Sequence, residues 1–277
     1  LGVEPAAVLD LSASFNPAAP DVGEIVGKHL DAVDRYPDAE AATGALAQAI
    51  GVEPERVVLT NGGSEAIALV AAQLGGRVDE PDFSLYPRGR GPRWRSNPHN
   101  PSGRLAADDE TAGVWDEAFF PLATGAWTRG DAENGAVVVG SLTKLFACPG
   151  LRLGYVVAPD HTAAARIEAR QPAWSVNGLA VAALPDLLAV ADLVGWSALV
   201  GSWRRALIAL LARNDLIAEP SDANYVLVRG PGLRDHLARL HVLVRDCANF
   251  GLVDHVRIAV PDPRGLARLA RALEVRQ

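Results

Sequence analysis

At 277 residues and 49% hydrophobic side chains, the chain can bury a substantial core, as one large domain or one and a half. A formal net charge of −7 argues against nucleic acid or an anionic membrane as the main partner. Cys148 and Cys247 are too few for a disulfide framework, so a reducing, cytoplasmic setting is expected. No N-terminal signal pattern is read, and the lack of any methionine reads as a processed or trimmed chain.

Residues 1–36 read as an extended lead-in. Leu9 to Pro17 alternate apolar and polar until Pro20 and Gly23 break the run, and a helix is predicted over 24–33. After Arg35, Tyr36, Pro37 and Asp38 a helix is predicted over 39–50, then a turn followed by a strand within 52–60. Asn61, Gly62, Gly63 and Ser64 lead into the apolar helical run 68–74. Strand, glycine-rich turn and helix make a phosphate site, because small residues let backbone N–H groups approach the anion and the helix dipole favours it. The same residues also read as a plain turn with Ser64 as N-cap. Phe83 lies in P-D-F-S-L-Y, where an aromatic in a core strand is the alternative reading. Two Asn-Pro steps follow in N-P-H-N-P-S-G (97–103), and Asp116 stands in V-W-D-E-A-F (114–119) at a strand end.

The run 135–140 and the run 153–159 read as two buried strands. Lys144 sits in the loop between them, with Ser141 three residues before and Arg152 eight after. Lysine occurs only there and at Lys28, while arginine supplies nearly all other positive charge, so an amine is wanted at 144. Burial and neighbouring cations lower a lysine pKa and free the amine to form a Schiff base. A helix over 161–170 follows. The apolar stretch 178–201 is interrupted by Pro185, Asp186 and Asp192 and reads as packed helices, not a membrane span. Beyond it the chain reads strand 221–228, helix 232–240, strand 242–247, strand 255–260 and a closing helix to 277.

These motifs together resemble the fold-type-I pyridoxal-phosphate (PLP) enzymes of the class I/II aminotransferase superfamily: S-x-x-K then G-x-R-x-G-Y, N-P-x-N-P-[ST]-G, D-E-A-[FY] and R-Y-P-D. The resemblance implies an α/β fold with a mostly parallel central sheet flanked by helices, plus a smaller α+β C-terminal domain. The expected division is an N-terminal arm at 1–36, a large domain at 37–175 and a small domain at 176–277. It implies PLP as cofactor, with Lys144 as the Schiff-base lysine and Asp116 paired with the pyridine nitrogen. Gly63, Ser64, Ser141 and Arg152 would bind the cofactor phosphate, Phe83 would stack on the ring, and Asn100 would bond its phenolic oxygen. Tyr36 would reach the phosphate of a neighbouring subunit, which implies a homodimer. Arg257 would clamp a substrate carboxylate as a fork, Arg245 would contact a substrate phosphate, and Asn177 is a further substrate-binding candidate. No metal is implied. Phe119 stands where transaminases often carry a tyrosine.

The chain departs from the family between Tyr86 and Asn97, where ten residues replace several tens in relatives. Residues 87–96 are too few for the strand and helix expected there, so either the sheet is shortened or a segment is missing from the sequence. Two branches of the superfamily compete. The N-terminal S-x-S-F-N-P, the D-E-A-F, W-S-V-N (174–177) and V-R-D-C-x-N-F (244–250) resemble threonine-phosphate decarboxylase of cobalamin side-chain synthesis. The alternative is histidinol-phosphate aminotransferase, and a non-catalytic PLP-fold binding protein is a third. The expected partner is a small phosphorylated amino substrate.

Overall fold

The computed structural model describes residues 3–275. The chain enters through a three-residue strand, β1 (Leu9–Leu11), and reaches a short helix, α1 (Val22–Val26), capped by the Asp21 carboxylate on the Gly23 and Glu24 N–H groups. The helix expected over 24–33 does not continue: it tightens into a 3-10 stretch (Gly27–Asp34), bent at His29 where the backbone leaves helical geometry. α2 (Glu40–Ile50) follows and stops at Gly51, in the left-handed conformation that closes helices. β2 (Val57–Asn61) then runs directly into α3 (Gly63–Leu74).

The next elements are β3 (Trp94–Ser96), β4 (Val114–Asp116), α4 (Phe120–Thr124), β5 (Val137–Ser141), α5 (Leu142–Leu145), β6 (Leu153–Val157) and α6 (His161–Glu168). Their strands and β2 form a five-stranded sheet in the order β2-β6-β5-β4-β3. β3, β4 and β5 pair in parallel, and β6 runs antiparallel to both β5 and β2. The sheet is therefore mostly parallel, as expected. Alternation along each strand explains its two buried faces. Val57, Leu59, Trp115, Val138, Tyr155 and Val157 pack on one side, while Val58, Val114, Val137, Val139 and Val156 pack with Ile67 and Ile167 on the other. Each such aliphatic chain removed from water contributes about 1.5–3 kcal/mol.

The shortening falls at the sheet's edge. Residues 87–96 supply only the three-residue strand β3 and no helix. Trp94 in it is fully buried. Residues 75–93, which carry no helix or strand, fold back along this edge. The Trp94 N–H donates to the Arg77 carbonyl, its indole N–H to the Gly75 carbonyl, and Arg77 bridges Arg93 in parallel register. An edge closed by its own chain leaves β4, β5 and β6 undisturbed.

Two apolar helices, α7 (Gly178–Ala189) and α8 (Leu193–Ala212), meet at 82°. Among the described residues no single helix is long and apolar enough to cross a membrane, and this bent pair passes that test only jointly. Its apolar faces are spent inside the protein. Ala180, Val181, Ala183, Leu184 and Leu187 of α7 join the core of the first sheet. α8 starts in that core with Leu193 and Trp196 and ends in a second with Leu207, Leu210 and Leu211. The passage between cores thus lies within α8, inside the helical stretch 178–214.

The last elements are β7 (Tyr225–Arg229), α9 (Leu233–Arg239), β8 (Val242–Asp246), β9 (His255–Ala259) and α10 (Pro263–Glu274). Their sheet has the order β1-β8-β9-β7, so the N-terminal segment is not a free arm: Leu9–Leu11 pairs in parallel with β8. This pairing draws residues 12–16 across the gap between the two sheets.

Candidate active site

Four parallel strands of the first sheet point their C-terminal ends the same way, which is where ligands bind in open α/β sheets. β2 delivers the Gly62–Gly63 turn, β3 ends at Ser96 before the Asn-Pro doublet, β4 ends at Asp116, and β5 ends at Ser141. A cavity of about 200 Å³ opens there. Its lining includes Gly63, Ser64, Phe83, Asn100, Asp116, Ser141, Lys144, Arg152 and Arg257. A wider groove of about 820 Å³ lies between α2 and residues 168–176, but its only titratable lining groups are Glu40, Glu55 and Glu168. It holds no lysine, histidine or cysteine among its lining residues.

The glycine turn is shaped by close approach. Gly62 has φ 79°, and a Cβ there would lie 2.5 Å from Nη2 of Arg152. The guanidinium therefore rests against the backbone that opens α3, adding a cation to that helix N-terminus. Ser64 is inside the helix, and the N-cap is Gly62, so the N-cap reading of Ser64 does not hold. From behind, Gly154 of β6 lets the same turn pack: a Cβ there would sit 2.4 Å from the Gly62 carbonyl carbon. Gly154→Ala is expected to destabilise the protein by about 3 kcal/mol in urea melts, since overpacking against backbone finds no side chain to move.

Lys144 lies not in a loop but on α5, a helix of four residues. Its Nζ donates to the Ala13 carbonyl at 2.9 Å and stands 4.7 Å from the centre of the Phe15 ring. Burial, then the cations Arg257 and Arg152, lower its pKa to about 8. An appreciable fraction of free amine is thus present near neutrality. The carbonyl that holds it belongs to the segment anchored by β1.

Asp116 lines the same cavity from the end of β4. The Tyr86 hydroxyl donates to its Oδ2 at 2.7 Å, and the Ala118 N–H donates to Oδ1 at 2.9 Å. Burial dominates and pushes the carboxyl up to about 6, with the Asp82 charge adding to it against those hydrogen bonds. Arg257 is 7% exposed; Nη1 donates to Oδ1 of Asn100 at 2.6 Å and Nη2 to the Ser12 carbonyl at 3.2 Å. Its guanidinium lies 4.6 Å from the Tyr225 ring centre. Its Nε is buried with no partner.

Three expected residues are placed elsewhere. Asn177 caps α7, accepting from the Ala180 N–H and donating to the Leu151 carbonyl, so its side chain is committed to holding the segment ahead of Arg152. Arg245 is the register partner of Arg257 across β8 and β9 and is absent from the cavity lining. Tyr36 is 75% exposed and stacks on Trp174 at 4.5 Å, outside the cavity. Conversely, Tyr86 and Ser96 line the cavity without having been assigned. Tyr86 carried a signal, its spacing of three from Phe83 in one turn. Glu80, Asp82 and His99 gather within 4.8 Å. Glu80 is paired with Arg93 and Arg95, and both His99 ring nitrogens are engaged, by the Pro81 carbonyl and the Ser102 hydroxyl.

Buried carboxyls leave a mark on stability. Burial raises Asp82 and Asp116 to about 6 and Glu117 to about 7. Groups raised in the fold bind more protons there than in the unfolded chain, so their contribution is whole at low pH and lost as pH climbs through 6 and 7. The cofactor-free protein is expected to lose about 3 kcal/mol of stability between pH 5 and 8. Glu117→Gln should flatten that slope in urea melts taken across the range.

The donor set fits PLP. A helix N-terminus with Arg152 suits the phosphate, a lowered-pKa amine suits the aldehyde, a buried carboxylate lies opposite, and Phe83 offers a ring face. The orphaned Nε of Arg257 leaves one buried donor for a further anion. Comparison with known proteins agrees. The profile of the family Aminotransferase class I and II matches residues 95–273. The chain is 31% identical to a threonine-phosphate decarboxylase from Salmonella typhimurium over 338 positions, covering 99% of this chain and 92% of that protein. That span exceeds the 277 residues present, so the relative carries additional internal residues. It is 34% identical to a histidinol-phosphate aminotransferase from Symbiobacterium thermophilum over 234 positions, covering 76% of this chain and 63% of that one. In fold it is similar to the crystal structure of the histidinol-phosphate aminotransferase from Clostridium acetobutylicum, with TM-score 0.84 and 24% identity over 97% of this chain and 98% of that chain. The chain belongs to the class I and II aminotransferase family and is a PLP-dependent enzyme.

Proposed function

We propose that the chain decarboxylates L-threonine O-3-phosphate, as a cytoplasmic homodimer serving cobalamin side-chain synthesis. The observation that carries this reading is similarity to a threonine-phosphate decarboxylase over 99% of the chain. The four local motifs at 12–17, 116–119, 174–177 and 244–250 support it. Two buried free cysteines, Cys148 and Cys247, suit a reducing compartment. Exposed Tyr36 and Trp174, with Leu30 and Val33 also exposed, support a subunit contact through which Tyr36 would reach the other site.

When bound, PLP takes up the electron pair left at Cα as a bond there breaks. The chain's own residues do the rest. Gly63, Ser64, Ser141 and Arg152 would hold the phosphate, Phe83 would cover one ring face, and Asn100 would bond the phenolic oxygen. Asp116 would hold a proton at the pyridine nitrogen. Arg257 would bind the substrate carboxylate and so orient the bonds at Cα. The Lys144 amine would hold the cofactor aldehyde and would deliver the proton that Cα takes up as carbon dioxide leaves. Arg245 would serve the substrate phosphate.

A histidinol-phosphate aminotransferase is the second reading, favoured by the 34% identity over 76% of the chain. The test is the PLP-loaded protein given O-phospho-L-threonine. Carbon dioxide release with no keto acid supports decarboxylation. Its absence, together with amino transfer from histidinol phosphate to 2-oxoglutarate, replaces the proposal with the second reading. Silence in both assays with PLP bound overturns both.

A further inference from the structure

The buried carboxylate of Asp82 has no place in the chemistry described so far, yet it is only 2% exposed and every one of its contacts leads to the site. Oδ1 accepts from the Phe83 N–H at 2.8 Å and from the Ser96 hydroxyl at 2.6 Å. Oδ2 accepts from the Ser96 N–H at 2.9 Å. The Ser96 oxygen in turn accepts from the Asn100 N–H at 2.8 Å, and Asn100 accepts from Arg257. One carboxylate thus ties the stacking residue Phe83 to the loop that presents Asn100, across a break of fourteen residues between Asp82 and Ser96.

We propose that Asp82 is a positioning residue for the cofactor: through Ser96 it holds the Asn100 loop, and its charge stands in the same turn as Tyr86, which holds Asp116. The inference rests on the roles given above to Phe83, Asn100 and Asp116, and not on which reaction follows. A buried carboxylate is retained only where several donors repay its desolvation, and here three do so. A neutral side chain could fill the same space. Tyr86 lies in the same turn, its N–H donating to the Phe83 carbonyl and its hydroxyl to Asp116, while Glu80 and His99 lie within 4.8 Å of the Asp82 carboxylate and Arg95 is the cation that acts on it. The Asp82 charge opposes ionisation of both Tyr86 and Asp116.

The test compares Asp82→Asn with Ser96→Ala. In cofactor-free protein, amide hydrogen exchange at Asn100 reports the bridge directly, and both variants should speed it by about tenfold. In PLP-loaded protein, both should weaken PLP binding by about tenfold. Only Asp82→Asn should also lower the pH midpoint of the cofactor's absorbance change, by about half a unit, because it alone removes a negative charge. Ser96→Ala keeps the charge and should leave the midpoint in place, a split that a purely structural role would not produce. Unchanged Asn100 exchange in Ser96→Ala overturns the bridge, even if Asp82→Asn fails to fold. Faster exchange with unchanged PLP affinity and midpoint overturns the coupling to the cofactor, and it counts against the role of Asn100 rather than against PLP binding by Lys144.

Discussion

Replacing Lys144 by alanine is expected to abolish covalent PLP attachment and to lower turnover by about ten-thousandfold or more, while leaving the fold intact. On the proposed function two roles would fall together, the amine that joins the cofactor and the group that moves the proton at Cα. Stability should change little, because the side chain makes a single hydrogen bond, to the Ala13 carbonyl, and its charged form is disfavoured by burial and by Arg257 and Arg152. Lys144→Arg refines the result. It keeps a cation near Phe15 and the Ala13 carbonyl but has no deprotonated amine at any working pH, so it should be as inactive as alanine. Borohydride reduction followed by peptide mass analysis checks the linkage: the parent should carry the cofactor on Lys144 and neither variant should carry it anywhere. A Lys144→Ala protein that stayed coloured and active would end the assignment.

Much of the site could be read before the fold because its motifs are contiguous and sit where elements begin and end. The Val137–Val139 run announces β5, and the lysine segment follows at once. The glycines at 62 and 63 mark a strand-to-helix turn by composition alone. What escaped was set by distance or by shortness. The pairing of Leu9–Leu11 with β8 joins the two ends of the chain, and three residues show no period that could foretell it. α5 is too short to show helical spacing, so Lys144 read as loop. α7 is apolar nearly all round, which says that it is buried but not in which core. Asn177 also carried a second signal: an asparagine directly before an apolar helical run is the ordinary N-cap residue, and the structure uses it so. Asp82 and Ser96 are fourteen residues apart, and only the folding of residues 75–93 along the sheet edge brings them together.

The second large effect is expected at Asp116, and here asparagine is the sharper substitution. Alanine would strand the Tyr86 hydroxyl in a buried site, at a cost of about 1–3 kcal/mol that confuses folding with catalysis. Asparagine keeps both contacts. Its Oδ1 can still accept from the Ala118 N–H, and its amide can donate to the Tyr86 oxygen once that hydroxyl rotates. What is lost is the negative charge, and with it the hold on the proton at the pyridine nitrogen. Asp116→Asn should therefore bind PLP through Lys144, retain its colour and melt within about 1 kcal/mol of the parent, yet turn over about a thousandfold more slowly. The pH profile supplies the control. In the cofactor-free parent burial holds this carboxyl near 6, and a protonated pyridine nitrogen beside it would draw it lower, so PLP affinity should fall as pH drops through 6. In Asp116→Asn that fall should be lost. If it survived the substitution, the ionisation would belong to another carboxyl of the site, with Asp82 the first to examine because burial raises it to about 6 as well.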